Sequence, residues 1–126
     1  MNVNGSVRDM FPEPYTGLDM RAGAGVDVVA DFMDGYRPNE YMTVVSTDTL
    51  EHTLEPWMII GQMSRCLKQG GRTYISVPWM FAMHDYPEDC WRILPTAMRH
   101  LLDRSNLEAV IVDSDESHTF AVAVKR

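Results

Sequence analysis

Cysteine is scarce. The chain's two, Cys66 and Cys90, are too few for a disulfide framework or a zinc cluster and are read as reduced thiols. Basic residues are also short, 11 Lys and Arg against 18 Asp and Glu, a net charge of −7. That balance argues against nonspecific binding to nucleic acid or to an anionic membrane, since like charges repel. No apolar run approaches the roughly 20 residues that span a bilayer, and no basic-then-apolar leader opens the chain. The expected location is the cytoplasm. The four histidines, His52, His84, His100 and His118, show no metal-ligand spacing, so no metal is assigned.

What remains is ordinary globular material, 45% hydrophobic and 23% charged, with ten methionines read as adaptable core filler. At 126 residues the chain is expected to form one domain, residues 1–126. Such a length buries about two thirds of its unfolded surface.

Val7, Met10 and Phe11 fit one face of a short helix, with Asn4 or Ser6 as its cap and Pro12 and Pro14 as its stop. Strands are predicted at residues 15–20 and 26–30. Between them, Gly23, Ala24 and Gly25 form a turn; a phosphate-cradling loop would have to lead into a helix. Residues 41–46 have the β-branched, apolar pattern of a strand buried on both faces. Trp57, Ile60, Met63 and Leu67 recur at helical spacing after Pro56, with Gly70 and Gly71 as the expected helix stop. A strand at 73–77 precedes a long connection, 79–94, rich in aromatics, methionine and acids. A helix from Pro95 and two strands, 107–112 and 119–124, close the chain as an expected antiparallel pair. Alternation of strand and helix implies right-handed crossovers and an α/β fold in three layers, mostly parallel, with an antiparallel C-terminal strand.

Several segments together carry a more specific message. Leu50-Glu51-His52 leads into a helix that closes on Leu67-Lys68-Gln69-Gly70-Gly71 before the next strand. Upstream lies "YTGLDMRAGAGVDVVADF", and downstream "DYPEDCWRILPTAMRHLL" holds a Trp-Arg-x-x-Pro segment. In this order they resemble class I methyltransferases that use S-adenosylmethionine, the last segment being one found in many bacterial and phage members. The resemblance implies a Rossmann-like fold that lacks its first central strand and most of its Gly-rich cofactor loop, an N-terminal truncation. Asn4, Gly5 and Ser6 would be what is left of that loop, with Asn4 and Gly5 as its cofactor contacts.

Ligands of doubly wound sheets sit at the carboxyl ends of strands. The resemblance then makes Asp19 the acceptor for the cofactor's ribose hydroxyls, the alternative being a carboxylate that caps its own turn. Asp31 and Phe32 would meet the adenine edge and face, and Ser46 and Thr47 the methionine portion. His84, Asp85 and Tyr86 fall on the side where an acceptor would enter, with Asp85 and Asp89 as candidates for a weak general base. Glu51 and His52 are expected to shape the loop into the helix. Leu94 stands where relatives place a capping Thr.

Without the central strand, the strands at 15–20 and 41–46 would each have an open edge. Direct pairing of the two is expected, with a homodimer as the alternative. The implied activity is methyl transfer to an unidentified acceptor. The alternative is a pseudo-enzyme that binds another protein through the run Trp79–Met83.

Overall fold

The structure, a computed structural model, describes residues 7–84 and 88–126. The chain divides into two compact units, Met1–Tyr36 and Arg37–Arg126.

In the first unit the helix expected from Val7, Met10 and Phe11 is a single 3₁₀ turn, Arg8–Met10. Phe11 leaves it extended (ψ 147°), the conformation a following proline demands. Strand β1 is Leu18–Asp19 and β2 is Val28–Val29, each two residues long and paired in parallel. Gly17 ties them together. Its carbonyl accepts from Asp27 N–H (2.8 Å) and Val28 N–H (3.0 Å), and its own N–H donates to Asp27 Oδ2 (2.7 Å). A Cβ on residue 17 would lie 2.0 Å from the Gly25 carbonyl oxygen, so no larger residue fits there. Arg8 joins the same knot through ion pairs with Asp27 and Glu13 and lies over the Tyr15 ring. Among the described residues of this unit none is buried.

The second unit runs β3 (Tyr41–Thr47), a 3₁₀ turn (Leu50–His52), α1 (Pro56–Cys66), β4 (Leu67–Pro78), α2 (Pro95–Arg104), β5 (Leu107–Ser114) and β6 (His118–Lys125). Its sheet has the order β3-β4-β6-β5, with β3 and β4 parallel and β6 antiparallel to both its neighbours. Helix α1 packs on β3 and β4 and helix α2 on β5 and β6, and the two helices touch each other, so they share one face of the sheet. That face holds the core. Thr73, Ile75 and Val77 of β4 stand opposite Ala123, Ala121 and Thr119 of β6, all buried. Against them pack Ile59, Ile60 and Met63 of α1 and Met98 and Leu102 of α2.

Two expectations need correction. The helix does not stop at Gly70 and Gly71: it ends at Cys66, where Leu67 turns extended (ψ 139°) and begins β4. Gly70, at φ 78°, serves instead a bulge inside β4, across which the register steps from Tyr41 opposite Leu67 to Thr43 opposite Arg72. Nor is β3 buried on both faces; Met42, Thr43 and Thr47 are exposed and Ser46 is its one buried residue.

The strands form two separate sheets. Among the described residues β1 pairs only with β2 and β3 only with β4, so the direct pairing expected of the strands at 15–20 and 41–46 is not among these ladders. No helix among the described residues is long and apolar enough to cross a membrane.

Candidate functional site

Because β3 and β4 are parallel, Thr47 and Pro78 end on the same side of the sheet, the side where such folds bind ligands. After β3 the chain turns sharply at Asp48 (φ 48°) into the Leu50–His52 turn. The connection that follows β4 folds back over this turn. Cys90 N–H and Trp91 N–H both donate to the Glu51 carbonyl (2.7 and 3.3 Å), Trp91 Nε1 donates to Leu54 O, and Ile93 N–H returns to Pro78 O.

Arg92 shapes the inner part of that connection. It donates to the carbonyls of Phe81 (3.2 Å) and Ala82 (3.1 Å) and forks onto Asp89 at 2.6 and 2.8 Å. Asp89 also accepts from His84 N–H at 2.7 Å. The Arg92 guanidinium first, then the His84 N–H, hold the Asp89 carboxyl far below the usual range, overcoming its burial. A carboxylate so firmly ionised is a poor proton acceptor at neutral pH, which suits it to positioning His84.

This folding back brings Glu51, His52 and His84 together, with one ligand atom of each within 4.8 Å of the others. The Glu51 side chain is 1% exposed. Burial pushes its carboxyl up, Asp48 adds to that, and His52 and His84 oppose it. At the rim, His118 Nε2 meets Asp48 Oδ1 at 2.9 Å, and Phe81 packs edge-on against His84.

The residues expected from sequence fall as follows. Asp19 ends β1, and its Oδ1 accepts from Arg21 N–H at 2.9 Å, a turn-capping bond. Asp31 caps the 3₁₀ turn Phe32–Asp34 by accepting from Met33 N–H, and Phe32 is half-buried. Ser46 is buried at the end of β3, and its Oγ has no hydrogen-bond partner among the described residues; Thr47 beside it is exposed. Asn4, Gly5, Asp85 and Tyr86 lie outside the described residues. Sequence reasoning gave Arg92 no role, although the Asp89-x-x-Arg92 spacing was a usable signal for the pair. Nothing in sequence placed His84 against Glu51 and His52.

No protein-family model matches the chain, and a search of curated proteins finds no similar sequence. Solved structures do match. The 1,6-didemethyltoxoflavin-N1-methyltransferase of Burkholderia thailandensis, bound to 1,6-didemethyltoxoflavin and S-adenosylhomocysteine, superposes with a TM-score of 0.74 at 12% identity over 87% of this chain and 60% of that one. The [4+2]-cyclase SpnF gives 0.64 at 16% identity, covering 80% and 56% of the two chains. A Haloferax volcanii complex of the Trm112 methyltransferase activator with its methyltransferase gives 0.64 at 18%, covering 77% and 59%. The chain thus has the fold of class I S-adenosylmethionine-dependent methyltransferases. It spans 56–60% of the length of these three structures.

Proposed function

We propose that this chain is a methyltransferase-type domain that binds S-adenosylmethionine and directs its methyl group to an unidentified acceptor. The observation that carries this reading is the buried, unpartnered Ser46 hydroxyl at the carboxyl end of β3, in a sheet with the class I fold. A buried hydroxyl left without a partner costs about 1–3 kcal/mol, which a bound polar ligand offsets. S-adenosylmethionine supplies an electrophilic methyl on a sulfonium, and the protein's part is chiefly orientation. Asp19 would accept from the ribose hydroxyls, Asp31 and Phe32 would meet the adenine, and Ser46 and Thr47 the methionine portion. Asn4 and Gly5 would add backbone donors. His84, Asp85 and Tyr86 would face the acceptor, with Asp89 holding His84.

Fold alone does not set the chemistry, as a cyclase among the matching structures illustrates. A second reading has its own observation: Met80, Phe81 and Met83 are 59%, 56% and 82% exposed in one short stretch, a patch suited to a protein partner. On that reading the domain is inactive and binds another protein.

Isothermal titration of the full chain with S-adenosylmethionine and S-adenosylhomocysteine separates the two. Binding that weakens in Asp19→Ala and in Ser46→Val supports the enzyme reading. Absence of heat at millimolar cofactor rejects it and leaves the binding-module reading.

A further inference from the structure

The convergence of Glu51, His52 and His84 has a chemistry of its own, independent of any cofactor. His52 Nδ1 lies against the carbonyl oxygen of Glu88. A carbonyl only accepts, so that nitrogen carries the proton and Nε2 of neutral His52 keeps its lone pair. His84 Nδ1 likewise faces acceptors, the Ala82 carbonyl at 3.3 Å and Asp89 Oδ2 at 3.4 Å, so its Nε2 is a lone pair too. The two Nε2 atoms are 3.5 Å apart, and His52 Nε2 is 3.5 Å from Glu51 Oε1. Glu51 Oε2, buried beside them, has no hydrogen-bond partner among the described residues. Electron pairs aimed at one another repel, and the buried Glu51 carboxylate beside them is poorly screened by water. They need something positive between them, either a shared proton or a metal ion.

The distances favour the metal. A hydrogen bond between ring nitrogens would draw them to about 3 Å. Tetrahedral zinc bonds of about 2.0–2.1 Å separate neighbouring ligand atoms by about 3.3–3.4 Å, close to the 3.5 Å of the two pairs that share His52 Nε2, while the third pair lies within 4.8 Å. Both imidazoles also have the outer support that metal-bound histidines have, a carbonyl for His52 and a carboxylate for His84. Arg92 in turn clamps that carboxylate.

The geometry points to a divalent transition-metal site with His52 Nε2, His84 Nε2 and the Glu51 carboxylate as its ligands. Two imidazoles and one carboxylate suit Zn²⁺, Co²⁺ and Ni²⁺ and not Mg²⁺ or Ca²⁺, which prefer all-oxygen shells. Three protein ligands leave one coordination position open, as in sites that bind water or substrate. The ion would pin the connection after β4 onto the turn after β3, at the ligand-binding end of the sheet.

Co²⁺ titration of the tag-free, chelator-treated full chain tests this. Visible d–d bands of a four- or five-coordinate ion are expected, saturating at one per chain and bleached by Zn²⁺ but not by Mg²⁺. His52→Ala, His84→Ala and Glu51→Gln should abolish the bands, and Asp89→Ala should weaken binding about 10–100-fold through the outer support. His100→Ala, exposed on α2, should leave them unchanged. Glu51 is buried, so its variant is open to misfolding; His84, half-exposed on the connection, is the decisive position, with its fold checked by circular dichroism. No Co²⁺ bands at millimolar metal, or a folded His84→Ala that binds as the parent does, overturns the site.

Discussion

Asp27 shows how much of the first unit rests on single polar atoms. One carboxylate oxygen takes both the Gly17 N–H and the Arg8 guanidinium, and in that order they hold the carboxyl below its ordinary value. A lowered value means that the folded form binds the proton less tightly than the unfolded chain does. Asp27 therefore adds order above the usual carboxylate range, about pH 4, and withdraws it as pH falls through the folded value. Amide resonances of Gly17, Asp27 and Val28 should lose protection on acidification through that range, with β4 and β6 unaffected, and Asp27→Asn should reproduce the acid state at neutral pH. Identical protection at pH 6 and about pH 3 would count against this. At this same scale the candidate site was only partly legible in sequence. Ser46 could be placed from its strand end. Glu51 looked like a loop residue, because its partner His84 lies beyond an entire helix and strand, and only the return of Cys90 and Trp91 to the Glu51 carbonyl brings them together.

Helix α2 begins without a side-chain cap. Leu94 holds the extended backbone of a cap residue (φ −75°, ψ 157°) and offers no acceptor for the first-turn amides. It is also 54% exposed, so little apolar burial is lost on replacing it. Leu94→Asp should stabilise the chain by about 1 kcal/mol, from the new cap bond and the favourable placement of an anion at a helix N-terminus. Urea denaturation would show this as a higher midpoint at unchanged slope. A lower midpoint would mean that the Leu94 side chain is held by contacts stronger than the cap. The elements legible in the sequence are those with a long, periodic pattern of their own: α1, α2, β3 to β6 and the β5–β6 pairing. The misreadings share a physical cause. Gly70 and Gly71 have the composition of a helix stop, but local composition does not tell a stop from a bulge; the pairing of β4 with β3 decides it. The strand expected at 15–20 keeps only Leu18 and Asp19, because its one partner among the described residues, β2, is itself two residues long and holds little chain extended.

For the molecule as a whole, the uneven distribution of core has a consequence in dynamics. Every buried residue among those described lies in Arg37–Arg126, and none in residues 7–36. The second unit has a four-stranded sheet and two packed helices; the first has two two-residue strands held by a glycine knot and an ion pair. A two-stranded ladder without a buried face is marginal in water, and segments with few buried contacts open at low free energy. The two units should therefore separate in hydrogen exchange. Amides of residues 7–36 exchange well before the core, while those of Ile59–Met63, Thr73–Val77 and Thr119–Ala123 wait for global unfolding. If the proposed cofactor binds, it should slow exchange around Asp19, Asp31 and Phe32, because ordering these residues around a ligand stabilises the first unit by mass action. Added Zn²⁺ should act elsewhere, protecting Glu51–His52 and the flanks of His84 while leaving residues 7–36 fast. Mass spectrometry of exchanged peptides reads all three segments in one experiment. Uniform protection across the two units would show that the first has a stability its buried surface does not account for, and cofactor protection confined to the second would remove Asp19, Asp31 and Phe32 from the proposed contacts.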